Sequence, residues 1–124
     1  MMKALVVDDS KAIRMILGRT LRELGYEVRE AGNGKEALAV VEAENKSFGL
    51  ILADWNMPEM NGFELLKELR QDPALAATAV VMVTTETEIE HMASALEAGA
   101  NEYVMKPFTK DILVQKLEMV GGRP

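Results

Sequence analysis

Five polar side chains in this 124-residue chain stand where apolar runs end. Asp8 and Asp9 follow "ALVV" (4–7), Asp54 follows "LILA" (50–53), Thr84 follows "AVVMV" (79–83) and Lys106 follows "EYVM" (102–105). Three carboxylates held together repel one another, and their usual escape is protonation. The alternative is a hard divalent cation with oxygen ligands. Mg²⁺ suits the set, because it needs only one or two carboxylates and keeps several waters. Beside such an ion and the charge of Lys106, Asp54 is a candidate nucleophile toward phosphorus, since a carboxylate can form an acyl phosphate. The cation and Lys106 would offset charge on the transferring phosphoryl oxygens, and the Thr84 hydroxyl would donate to one of them.

Taken singly, each residue has a plainer explanation. Asp8 and Asp9 could open a helix near its positive end. Lys106 could be solvated surface, and Thr84 with Thr85 could be turn chemistry at a strand end. Asp54 is harder to set aside, being attached to a buried run with no helix beginning beside it. The coincidence at four run ends is what points to a site.

The elements that must position these groups alternate along the chain. The runs at 4–7, 50–53 and 79–83 are continuously apolar, as strands covered on both faces should be. "YEVREA" (26–31) alternates instead, as an edge strand does, and leaves into the plain turn "GNGK"; "EYVM" is mixed and fits the other edge. Between them, single helical faces collect Ile13, Ile16, Leu17, Leu21 and Leu24, then Ala37, Leu38 and Val41, then Leu65, Leu66 and Leu69. Ile89, Met92, Ala93 and Leu96 form a fourth face, and Leu113, Leu117 and Val120 a fifth. Asn33, Asn61 and Thr87 each precede a Glu by three residues, the spacing of an N-terminal cap. Gly25 and Gly99 stand where helices should stop. Alternating β and α elements give a doubly wound α/β fold: a five-stranded parallel sheet, strand order 2-1-3-4-5, with helices on both faces. Ligands of such sheets sit beyond the carboxyl ends of the strands, where the winding reverses, here between the first and third strands.

Composition narrows the function. Apolar residues make up 48% and charged residues 27%, with a formal net charge of −6. The charges are interspersed, so there is no concentrated basic face for nucleic acid. No apolar run approaches the roughly 20 residues that cross a bilayer, and the N-terminus lacks a leader pattern, so a cytoplasmic protein is expected. Cysteine is absent and His91 is the single histidine, which excludes thiolate and multi-histidine metal sites. Nine methionines read as irregular core filling or an adaptable binding surface.

Through "LVVDDS", "DWNMPEMNG", "VTTE" and "YVMKPF" the chain resembles the receiver domain of two-component response regulators, more narrowly the single-domain, CheY-like type. The resemblance covers essentially the whole chain and implies one response regulatory domain over 1–124 in a flavodoxin-like (βα)5 fold, with no effector domain. It implies Asp54 as the phosphoacceptor for a sensor histidine kinase. Mg²⁺ would be bound by Asp8, Asp9, Asp54 and the backbone carbonyl of Asn56. Thr84 and Lys106 would contact the phosphoryl group, Thr84 and Tyr103 would switch together, and Asn56 and Glu86 would tune phosphoryl lifetime. A cis Lys106–Pro107 peptide is also implied. The output surface would be the fourth helix, fifth strand and fifth helix, carrying Ile89, Met92, Tyr103 and Met119. The partners would be the kinase and a downstream protein, with no nucleic acid or membrane, for a monomer or a weak phosphorylation-linked dimer.

Some positions depart from the family pattern. Asn61 stands where Asp is common, a near equivalent as a helix cap. Thr85 replaces a frequent Ala and narrows access to the phosphoryl site. Ile89 replaces a Lys, so the flagellar-switch contacts are not all kept. Such a protein is no conventional enzyme, catalysing only its own phosphorylation and dephosphorylation. Phosphatases of the haloacid-dehalogenase type need a second acid two residues after the nucleophile, where this chain has Asn56. A flavin carrier of the same fold wants a hydroxyl-rich phosphate loop where this chain has "DDS". A phosphate shuttle in a multistep phosphorelay is the alternative within the family.

Overall fold

The apolar runs become the central strands. In a computed structural model, residues 2–85 and 89–120 are described, with side chains throughout except at Ile89 and Glu90. The strands are β1 (Lys3–Val7), β2 (Glu27–Ala31), β3 (Phe48–Asp54), β4 (Ala79–Thr84) and β5 (Glu102–Met105). The helices are α1 (Lys11–Glu23), α2 (Gly34–Ala43), α3 (Gly62–Arg70), α4 (Ile89–Glu97) and α5 (Lys110–Met119), with a 3-10 turn at Pro73–Leu75. All neighbours pair in parallel, in the order β2-β1-β3-β4-β5. The sheet therefore has the expected order, with the alternating run and the mixed run at its two edges.

Side chains alternate across the pleat, so each strand feeds two cores. Leu5, Val7, Ile51, Ala53, Val80 and Met82 pack with α2, α3 and Ala95 of α4. Ala4, Val6, Leu50, Leu52, Val81 and Val83 pack with Leu17 and Leu21 of α1 and Leu113 and Leu117 of α5. Leu65, Leu66 and Leu69 are fully buried, which contributes about 5–9 kcal/mol as an upper figure for α3 alone.

The predicted face of α1 packs on the sheet through Ile13, Leu17, Leu21 and Leu24, with one residue misplaced, whereas that of α4 is rotated. Ile16 is 53% exposed, and α1 turns Thr20 inward instead. On α4, Ala93 and Leu96 face out, Met92 is half-buried and Ala95 is the residue that reaches the core. The reason is close packing. Where a helix lies near the sheet a small or short side chain fits, and the bulkier neighbour is turned out. Asn33 and Asn61 cap α2 and α3, the latter in a reciprocal capping box with Glu64, while the Thr87 cap lies outside the described residues. Gly25 and Gly99 end α1 and α4 at φ values of 101° and 110°.

The rim opposite the strand exits is tied by Arg70. Its guanidinium donates to the carbonyls of Gly99, Leu75 and Thr78 and to Asn101 Oδ1, each at 2.9 Å. That fork joins α3 to the segments entering β4 and β5.

Candidate functional site

Four strand exits carry polar groups to one rim of the sheet. Asp8, directly after β1, is 1% exposed; Asp54 closes β3 and Thr84 closes β4, both buried. Asp9 is exposed. One oxygen from each of Asp8, Asp9 and Asp54 lies within 4.8 Å of the other two. Lys106, in the loop after β5, brings its Nζ to 2.9 Å from Asp8 Oδ2 and 3.3 Å from Asp54 Oδ1. Its backbone N–H donates to the Thr84 carbonyl at 2.7 Å, and the Lys106–Pro107 peptide is cis.

Local chemistry holds Asp8 and Asp54 in place. The Asp8 N–H donates to the Ala31 carbonyl at 3.1 Å, and Asp8 Oδ1 accepts the Ser10 N–H at 2.8 Å. The cap of α1 is Ser10, whose hydroxyl accepts from the Ile13 N–H, so the two acids are left out of helix capping. Arg14 clamps the same loop from α1, donating through Nη1 to the Asp8 carbonyl at 2.5 Å and pairing with Glu30 at 3.1 Å. After Asp54, the Trp55 N–H donates to the Val83 carbonyl and the Trp55 carbonyl accepts from the Gly62 N–H. Gly62 is required for this loop, since a Cβ there would lie 2.1 Å from the Asp54 carbonyl oxygen.

The electrostatics follow from burial. Desolvation pushes the Asp54 carboxyl above its ordinary range; the Asp8 charge adds to this, Lys106 opposes it, and Asp9 adds a smaller push. For Lys106 burial acts downward, but the hydrogen bond to Asp8 and the charges of Asp54 and Asp8 outweigh it and hold the amine above its usual value. The lysine therefore stays charged, and it is shared between two acids.

The donor set fits a divalent cation. Three carboxylates that bring oxygens within 4.8 Å of one another offer the hard, anionic donors that Mg²⁺ takes, and would hold it by moving closer together. The exposure of Asp9 leaves one side open to water, which Mg²⁺ retains.

The remaining predicted residues are spread outward. Asn56 is exposed on the loop two residues past Asp54, and Thr85 is exposed beside Thr84. Tyr103 is half-buried on β5, with Lys116 Nζ 4.6 Å from its ring centre. Met119 is 69% exposed. Glu86 lies outside the described residues, and Ile89 is placed only as the first residue of α4. Sequence reasoning missed Arg14, Ser10 and the ring partners of Trp55. A basic residue one turn into the helix after an acid pair is the signal that could have found Arg14.

A sheet of this order, with acids and a lysine at its reversal point, defines a receiver architecture. The chain belongs to the response regulator receiver domain family, whose model matches residues 4–118. It is similar to the chemotaxis protein CheY1 of Helicobacter pylori, at 47% identity over 98% of both chains. A CheY homologue of Campylobacter jejuni is 45% identical over 98% of this chain and 93% of that protein. Among solved structures, the chemotaxis response regulator CheY4 of Vibrio cholerae superposes with a TM-score of 0.87 at 41% identity, covering 97% of this chain and 98% of that one. The chain is thus a CheY-like receiver of two-component signalling.

Proposed function

We propose that this receiver accepts a phosphoryl group on Asp54 from the phosphohistidine of a sensor kinase and so switches its α4–β5–α5 face for a downstream partner. The observation that carries the reading is Lys106 Nζ held between Asp8 and Asp54 at the edge of a three-carboxylate cluster. A carboxylate oxygen of Asp54 attacks phosphorus, an O–P bond forms, the N–P bond of the donor breaks, and the imidazole leaves with the electron pair and takes up a proton. Burial raises the basicity of Asp54 and so its nucleophilicity, provided that the acid is ionised. Lys106 stays protonated and neutralises charge on the phosphoryl oxygens, with the Thr84 hydroxyl as a further donor. Mg²⁺ bound by Asp8, Asp9, Asp54 and the Asn56 carbonyl would supply a second positive charge for the same oxygens.

The protein is then a substrate and self-catalyst rather than a conventional enzyme. It works in the cytoplasm beside its kinase, and Thr84 and Tyr103 pass the change to the output face by shifting a pre-existing equilibrium. Incubation with acetyl phosphate and Mg²⁺ should add one phosphoryl group, labile to hydroxylamine, to the wild type and none to Asp54→Asn. The same adduct on the variant would assign the acceptor elsewhere.

A further inference from the structure

The loop that carries Asp54 touches α4 through stacked rings. Trp55 directly follows Asp54, and its backbone is fixed by Val83 at 3.1 Å and Gly62 at 2.9 Å. Its indole stacks with two rings. Phe63 of α3 stacks at 5.2 Å and 21°, and His91 of α4 at 4.8 Å and 8°. Both fall within the range of favourable aromatic stacking. Lys67 Nζ stands over the Phe63 ring, 4.6 Å from its centre.

The described side chains of α4 bury little apolar surface beside those of α3. Among its described side chains only Ala95 is fully buried, whereas α3 buries Leu65, Leu66 and Leu69. A helix that buries few apolar side chains shifts or opens at lower free energy than one that buries many. A ring contact near its first turn therefore carries weight in setting its position.

We propose that His91 is a positioning residue: stacked on Trp55, it is the contact through which the state of the Asp54 site reaches α4. This rests on the reading of Asp54 as phosphoacceptor. Indole and reactive carboxylate are carried by adjacent residues, so a shift of the Asp54 backbone changes the overlap of the two rings and biases the helix. The coupling is reciprocal, so the placement of α4 also weights ligand affinity at Asp54. The route runs through the β3–α3 loop and is distinct from one through Thr84 and Tyr103.

The test uses beryllofluoride with Mg²⁺ on wild type, His91→Gln and His91→Phe. Fluorine NMR reads occupancy at Asp54, and amide exchange of residues 91–97 reads α4. In the wild type both should respond. His91→Gln keeps length and polarity without a ring; it should still bind, lose most of the α4 response and shift half-saturation by about two- to tenfold, the contribution of one aromatic pair. His91→Phe should restore both. Equal α4 responses and half-saturation in wild type and His91→Gln would overturn the link, as would failure of Phe to restore them. Absence of occupancy in the wild type would instead remove the phosphoacceptor reading, and this inference with it.

Discussion

Asp54→Asn removes a charge that the fold resists, and we expect the variant to be more stable than the wild type in metal-free buffer. At the outer separation of 4.8 Å and an effective dielectric of about 20, the Asp8 carboxylate opposes the Asp54 charge by about 3.5 kcal/mol, and solvent-screened Asp9 opposes it by less. Lys106, at 3.3 Å, favours it by about 5 kcal/mol on the same scale. The attraction roughly offsets the two repulsions, and desolvation, the largest effect, leaves the charge at a net cost. An amide oxygen can still accept from Lys106, so we expect a gain of about 1–2 kcal/mol, or about 4–10 °C in Tm. The sign with pH follows from the raised carboxyl. The destabilisation by Asp54 is absent below the ordinary carboxylate range and develops in full as pH rises through the elevated folded value. The gap between variant and wild type should therefore be widest near neutrality and shrink on acidification. Mg²⁺ at 100 times its Kd adds about 2.7 kcal/mol to whichever form binds it, so the wild type should close the gap when the metal is added. Urea denaturation with EDTA or Mg²⁺ measures each quantity. A less stable variant without metal, or equal gains from Mg²⁺ in both proteins, would refute the electrostatic argument.

Other outcomes follow from the same contacts. Lys106→Ala should slow phosphoryl uptake from acetyl phosphate by about 10²-fold or more, as removal of a donor to a developing charge does; an unchanged rate by mass spectrometry would take the amine out of the chemistry. Gly62→Ala forces a Cβ against the Asp54 carbonyl and should cost about 2–3 kcal/mol in urea melts. Arg70→Lys replaces a fork that serves four acceptors with a single ammonium and should cost about 2–4 kcal/mol. Because Arg70 lies at the opposite rim, that variant should keep wild-type Mg²⁺ affinity.

Strand order and the acid cluster were legible in the sequence because each rests on a local signal. Uninterrupted apolar runs mark strands covered on both faces, and a polar residue ending each run marks the rim. Helix orientation was less legible. Periodicity gave the face of α1 except for Ile16, which turns out while Thr20 turns in, but not the rotation of α4, where Ala93 and Leu96 turn out and Ala95 turns in. That choice depends on how closely each helix approaches the sheet, a long-range property. The contacts of Arg14 and His91 were not legible for the same reason. Their partners, the Asp8 carbonyl and the Trp55 ring, come from other elements and leave no periodic trace.

The central claim is that three acids share one divalent ion beside Lys106. Trp55 is the only tryptophan and adjoins Asp54, so a Mg²⁺ titration followed by its fluorescence reads the site directly. We predict one saturable transition in the wild type and an affinity at least tenfold weaker in Asp9→Ala, about 1.4 kcal/mol. Identical titrations for the two proteins would contradict the shared site.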